Sequence, residues 1–90
     1  MRVTEAIEDK ITAELQPVRL KIEDESASHQ GHAGARPEGE SHFSVVIVSA
    51  KFEGMKPLAR QRLIYRLLAD EMKTDIHALA LTTLTPDEDR

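Results

Sequence analysis

Residues 43–84 read FSVVIVSAKFEGMKPLARQRLIYRLLADEMKTDIHALALTTL and predict a strand, a helix and a second strand in succession. The run at 43–49 is apolar on both parities in its middle, which is typical of a central strand buried on both faces. Pro57 suits the first position of a helix that we expect to run to about Lys73. We expect its core-facing side chains to be Leu58, Ile64, Tyr65, Leu68 and Met72. The segment at 76–84 predicts the next strand, and a strand–helix–strand connection favours right-handed parallel pairing.

The first part of the chain predicts a helix and one more strand. Apolar residues recur at four-residue intervals at Val3, Ile7, Ile11 and Leu15. They indicate an amphipathic helix over 3–15 that ends before Pro17. The segment at 18–22 alternates apolar and polar residues, as a half-buried strand does, and can pair antiparallel with the strand at 43–49. The resulting αββαβ order predicts a single α+β domain over 1–90, a three-stranded mixed sheet with helices on one face.

The composition excludes several classes of protein. The chain has 90 residues and a net charge of −4, and no apolar run exceeds four residues, so we expect no membrane span. Its start, MRVTEAIEDK, lacks the apolar stretch of a secretory signal, and we expect a cytoplasmic protein. The absence of cysteine excludes a disulfide framework, a thiol nucleophile and an all-cysteine metal site. No phosphate-binding glycine loop or nucleophile–base spacing occurs, so we expect no enzyme.

Positive charge is concentrated in residues 51–66, which hold five basic side chains and one acidic one. The basic residues are Lys51, Lys56, Arg60, Arg62 and Arg66. This local charge of +4 leaves −8 for the rest of the chain. The last four lie on or beside the predicted helix, where they would contact phosphates or an acidic protein surface, or form a solvated helix face. The net acidity of the chain argues against a dedicated nucleic-acid binder.

The chain contains four histidines, His29, His32, His42 and His77, near the ends of predicted elements. Two of them belong to the polar segment at 25–41, ESASHQGHAGARPEGES, which is longer than ordinary connections between strands. Parallel pairing of the last two strands brings this segment, His42 and His77 to the same end of the sheet. One interpretation is an open metal site in which two imidazoles are completed by another molecule. The other is a solvated polar loop with a backbone-bonded His77, and we expect His42 to be structural.

Several short motifs occur along the chain in a fixed order. They are Ser41-His42-Phe43, Val48-Ser49, Phe52-x-Gly54, Arg60-x-Arg62, Ile64-Tyr65 and Ile76-His77-Ala78-Leu79. With the front helix and PVRLKIEDES at 17–26, they closely resemble the BolA family over essentially the whole chain. The resemblance implies an αββαβ domain similar to the class II KH fold, in agreement with the order derived above.

The resemblance also implies a partner and a cofactor. BolA-like proteins pair with monothiol glutaredoxins in iron–sulfur trafficking and iron regulation, and the heterodimer shares a [2Fe–2S] cluster. In this heterodimer the glutaredoxin cysteine and glutathione supply the sulfur ligands, so we expect the isolated chain to hold no cluster. We expect the free protein to be a monomer or a weak homodimer. By position, His77 matches the family's C-terminal histidine ligand. The loop supplies the second ligand, with His29 as the nearest match and His32 as the alternate, and the lack of cysteine indicates a histidine-type member.

A second function implied by the resemblance is transcriptional regulation, because some bacterial members are described as regulators of morphology and stress genes. The DNA-binding surface would then consist of Lys56, Arg60, Arg62 and Arg66. Many relatives carry a histidine between the two arginines, where this chain has Gln61, so no role is transferred to that position. Of the two functions we favour the non-enzymatic, cluster-sharing adaptor.

Overall fold

The computed structural model describes residues 2–25 and 42–89, which form three strands and three α-helices. In chain order these are α1 (Arg2–Leu15), β1 (Arg19–Asp24), β2 (His42–Val48), α2 (Pro57–Leu67), α3 (Ala69–Thr74) and β3 (Ala78–Leu84), with a 3₁₀ helix at Ala50–Phe52. The predicted α+β class and αββαβ order are confirmed, with the last helical region in two pieces. Within these residues, no helix has the length and apolarity that crossing a bilayer requires.

The strands form one mixed sheet in the order β1–β2–β3, so β2 is central as predicted. β1 pairs with it antiparallel, with Leu20 opposite Ile47. β3 pairs with it parallel, with His42 opposite Ala78. The parallel pairing requires a crossover, which α2 and α3 provide. As a result, the starts of β2 and β3 and the end of β1 lie at one end of the sheet.

The helices cover one face of the sheet, and the core lies between them. Alternate residues of β2, Phe43, Val45 and Ile47, are buried there at no more than 2% exposure. The four apolar residues predicted for α1 join the same core, each at most 2% exposed. On the opposite face, Lys21 and Thr82 are exposed. The sequence prediction of helices on one face is therefore correct.

The face of α2 that packs on the core differs from the predicted apolar stripe. Ile64 and Leu68 are fully buried as expected, but Leu58 is 61% exposed and Tyr65 is 40% exposed. Arg60 occupies a buried position on this helix instead. The prediction is thus correct for Ile64, Leu68 and Met72 and wrong for Leu58 and Tyr65, because apolar periodicity gave no core position to an arginine.

The helix predicted at 57–73 is interrupted at Leu68, whose φ of −102° and ψ of 20° depart from helical values. α3 begins at the next residue, and the amide of Ile76 donates to the carbonyl oxygen of Glu71 at 2.8 Å. Leu68 is buried and Met72 packs against the core. Leu68 and Met72 thus both contact the core across the interruption, and after α3 the chain turns back towards β3.

Ser49 connects three elements in the interior. Its fully buried hydroxyl donates to the carbonyl oxygen of Leu15 at the end of α1 (2.7 Å) and accepts from the amide of Lys51 (3.1 Å). The Ser49 amide donates to the carbonyl oxygen of Leu84 on β3 at 2.9 Å. One side chain thus satisfies a helix-terminal carbonyl and caps the 3₁₀ helix.

We expect Ser49→Ala to lower the free energy of unfolding by about 1–2 kcal/mol, because the buried carbonyl oxygen of Leu15 and the part-buried amide of Lys51 lose their partner. Urea unfolding followed by circular dichroism measures the change. Ser44→Ala is the matched control, since Ser44 is a half-buried β2 residue on the other face of the sheet. Its effect should stay within about 0.5 kcal/mol. Equal losses in the two variants would contradict the capping role of Ser49.

Candidate functional site

His42 and His77 come together at one end of the sheet. His42 is the first residue of β2, and His77 directly precedes β3, which begins at Ala78 rather than at the predicted residue 76. Their ring centroids are 6.1 Å apart and their planes are inclined at 54°. His42 is half-buried, whereas His77 is exposed. The predicted convergence of this pair is confirmed, and the imidazole of His77 is accessible to another molecule.

The connection that follows β1 starts at the same end of the sheet. The amide of Glu25 donates to the carbonyl oxygen of His42 at 2.7 Å, so the segment carrying His29 and His32 departs beside the histidine pair. His29 and His32 themselves lie outside the described residues, and their roles stay predictions. In 2–25 and 42–89, no group of three or more His, Cys, Asp or Glu residues is arranged to hold a metal ion. This part of the chain offers two imidazoles rather than a closed metal site.

Arg60 is buried, so the prediction that it belongs to an exposed basic surface is wrong. The residue is 6% exposed, and its guanidinium donates to the carbonyl oxygens of Met55 and Thr83 at 2.9 and 3.1 Å. It also donates to both carboxylate oxygens of Glu88, at 2.7 and 3.3 Å. Its Cζ lies 5.7 Å from the centroid of the Phe52 ring. With these contacts made in the interior, the guanidinium is not available to a phosphate group.

Acidic side chains attach the C-terminal segment to the rest of the fold. The carboxylate of Glu88 accepts from the amide of Thr85 at 2.8 Å, and the Thr85 hydroxyl accepts from the amide of Glu88 at 3.2 Å. This reciprocal pair is the capping box of a T-x-x-E sequence. Asp89 accepts two hydrogen bonds from the guanidinium of Arg19 on β1, at 3.1 and 2.8 Å. No role was predicted for this segment from the sequence.

The Arg60 guanidinium lowers the pKa of Glu88 from 4.5 to about 2, and the Thr85 amide adds to the effect. Because the folded-state pKa is the lower one, ionised Glu88 stabilises the fold fully above pH 4.5 and loses this effect as the pH falls through about 2. We expect Glu88→Gln to be less stable than the wild type at neutral pH, with the difference shrinking across that window. Thermal unfolding at a series of pH values measures it, with Glu53→Gln, an exposed carboxylate, as control. A difference that does not change with pH would contradict the prediction.

Lys56, Arg62 and Arg66 form the exposed part of the predicted basic surface. Arg62 and Arg66 are one helical turn apart on α2, and Lys56 is the residue before its first turn. In the described part of the chain, none of the three has an ion-pair partner. They border an open depression of about 460 Å³, which Leu58 and Leu63 also line. We call this depression the α2 groove. Three of the four cations predicted for this surface are therefore available to an anionic partner.

The chain matches the family model described as "BolA-like protein" over residues 11–88. This match covers most of the chain, so the protein belongs to the BolA-like family. The resemblance recognised from the sequence motifs is confirmed.

Individual relatives agree with this assignment. The chain is 50% identical to "Protein BOLA1, chloroplastic" of Arabidopsis thaliana over 82 residues, which are 89% of this chain and 51% of that relative. It thus spans about half the length of that protein. It is 49% identical to "DNA-binding transcriptional regulator BolA" of Escherichia coli strain K12 over 88 residues, covering 98% of this chain and 80% of the relative. The solved structure of BolA1 from Arabidopsis thaliana superposes with a TM-score of 0.85 at 41% identity, covering 98% of this chain and 96% of that one.

Proposed function

We propose that this chain is a non-enzymatic adaptor that binds a monothiol glutaredoxin and shares a [2Fe–2S] cluster with it. The observation that carries the proposal is the placement of His77, an exposed imidazole at the end of the sheet with the ring of His42 6.1 Å away. The glutaredoxin cysteine and glutathione would supply sulfur ligands. His77 and one loop histidine, His29 or His32, would supply nitrogen ligands. Membership of the BolA-like family supports this assignment.

The residues present fit a cluster whose ligand set is completed by a partner. The described residues bring two imidazoles together, and no group of three or more ligand side chains accompanies them. Because the chain has no cysteine, its contribution to the cluster is imidazole rather than thiolate. Neutral imidazole makes a cluster less negative and raises its reduction potential. His77 directly precedes β3, and its exposure leaves room for a partner.

Anaerobic reconstitution with a monothiol glutaredoxin, glutathione, iron and sulfide tests the proposal. We expect a 1:1 complex on size exclusion, with visible absorption and circular dichroism spectra distinct from those of the glutaredoxin homodimer. The same column, run with the free chain, tests the predicted monomer or weak homodimer. If the glutaredoxin keeps its own spectrum and the two chains elute separately, the shared cluster is excluded. The cytoplasmic location stays a prediction.

A second candidate function is DNA binding, which is favoured by the similarity to the DNA-binding transcriptional regulator of Escherichia coli. Lys56, Arg62 and Arg66 are exposed and would contact phosphates, whereas Arg60 would not, because it is buried. Contacts to phosphates release counterions, so the affinity should fall steeply with salt and should be lost on reversing Arg62 and Arg66. Titration of a DNA duplex at several salt concentrations measures this. Absence of binding at low ionic strength would exclude the second function.

A further inference from the structure

The α2 groove combines an apolar surface with a cationic border. Leu58 and Leu63 contact it from α2 and Met55 from the preceding turn. Leu58 is 61% exposed and shares the groove with Met55 and Leu63, which are half-buried, so the three side chains give the groove an apolar surface. Tyr65, on the same helix, is 40% exposed and directs its hydroxyl to the carbonyl oxygen of Leu79 at 3.4 Å. The exposed face of α2 is therefore partly apolar rather than simply solvated.

The cationic border of the groove lacks acidic neighbours. Lys56, Arg62 and Arg66 line it, and no acidic residue does so in the described part of the chain. Elsewhere in those residues, Lys10, Arg19 and Lys21 each have a carboxylate within 3.1 Å. On a chain with a net charge of −4, a groove with three unneutralised cations favours an occupant of negative charge.

We propose that the α2 groove is the docking site for an acidic protein segment that inserts a large apolar side chain beside Leu58. The three border cations would pair with carboxylates on either side of that anchor, and the apolar surface would bury it. A nucleic acid fits this groove less well. Phosphates gain nothing from contact with Met55 and Leu63, and among the described residues no aromatic side chain lines the groove for a base to stack on.

The Lys56 end of the groove lies away from the histidine pair. The side chain of Arg60, one turn after the start of α2, reaches the carbonyl oxygen of Thr83 near the end of β3, whereas His77 precedes the start of that strand. Ala78 to Thr83 corresponds to about 16 Å of strand. The Lys56 end of the groove therefore lies towards the other end of the sheet. The Arg66 end is nearer the histidine pair, since the hydroxyl of the adjacent Tyr65 points to the carbonyl oxygen of Leu79. The groove lining contains neither His42 nor His77, and the inference rests on that lining alone, so it does not depend on the proposed function.

Titration of the ¹⁵N-labelled chain with a short synthetic peptide tests the inference by nuclear magnetic resonance. The peptide consists of glutamate and aspartate around two leucines one helical turn apart, and a second peptide has serine in place of both leucines. We expect saturable shifts of the Leu58, Arg62 and Leu63 amides with the first peptide. Affinity should fall about tenfold or more when the leucines are replaced, and also for Leu58→Ser.

Charge reversal provides the decisive comparison. Arg62→Glu with Arg66→Glu should weaken the leucine peptide about tenfold or more. Lys51→Glu with Lys73→Glu changes the net charge equally at exposed residues outside the groove and should leave the affinity within about twofold. Equal weakening by both double variants would show only a non-specific charge effect and would overturn the proposal. The same follows if the peptides do not bind, or if a DNA duplex shifts these amides and neither peptide does.

Discussion

Replacing Arg60 with alanine is expected to lower the free energy of unfolding by about 3 kcal/mol, the largest loss of stability we expect from a single polar side chain of this fold. The substitution leaves the carbonyl oxygens of Met55 and Thr83 without their donor. It also removes the partner of Glu88 and with it the attachment of the C-terminal segment to α2. Finally, it leaves a space beside Phe52, which is fully buried.

Chemical unfolding of Arg60→Ala and Arg62→Ala measures this effect with a matched control. Arg62 lies on the same helix but is exposed and has no ion-pair partner in the described residues, so its replacement should change stability by no more than about 0.5 kcal/mol. Arg60→Lys should fall between the two, because an ammonium cannot reproduce the planar fork that reaches several acceptors at once. Similar stabilities for Arg60→Ala and Arg62→Ala would mean that the buried hydrogen bonds contribute little.

Most of the fold was predictable because local patterns and connection rules agreed. Four apolar residues at helical spacing define α1. The strand at 43–49 is apolar on both faces in its middle, which places β2 in the centre of the sheet. The helical connection then favours parallel pairing of β3 with β2. Periodicity does not report a break inside a helix, so the interruption at Leu68 was not predicted.

Arg60 shows why the surface was harder to predict than the core. Sequence reasoning places arginine on the surface, where its charge is hydrated, and only a partner makes its burial favourable. That partner, Glu88, is 28 residues further along the chain. One local signal was present: Thr85-Pro86-Asp87-Glu88 has the T-x-x-E pattern of a capping box, which predicts an ordered turn after β3. It does not indicate which cation the glutamate meets.

The histidine site was predictable to the extent that topology determines it. Parallel pairing of β2 and β3 brings residues at their starts together, and this holds for His42 and His77. The ligands that the glutaredoxin and glutathione would supply were inferred from family resemblance alone. When another molecule completes the ligand set, the sequence of one chain contains only some of the ligands and cannot indicate the others. His42, which we expected to be structural, is the imidazole beside His77 in the described residues. Its contribution therefore needs a variant of its own.

We expect His77→Ala to reduce cluster retention in the complex with a monothiol glutaredoxin by about tenfold or more, because under the proposed function the complex would lose an iron ligand. The absorption and circular dichroism spectra should change towards those of the glutaredoxin homodimer. Stability of the free chain should change by no more than about 0.5 kcal/mol, because the side chain is exposed.

His77→Cys separates ligation from a purely structural role. A thiolate can replace the imidazole as an iron ligand, so this variant should keep the cluster but shift its reduction potential to more negative values. His42→Ala tests whether the half-buried neighbour contributes to the same site. If His42 only positions His77, the cluster should remain with an altered circular dichroism spectrum. Spectra of His77→Ala and His77→Cys that both match the wild type would show that His77 is not a ligand, and the shared site would then have to lie elsewhere on the chain.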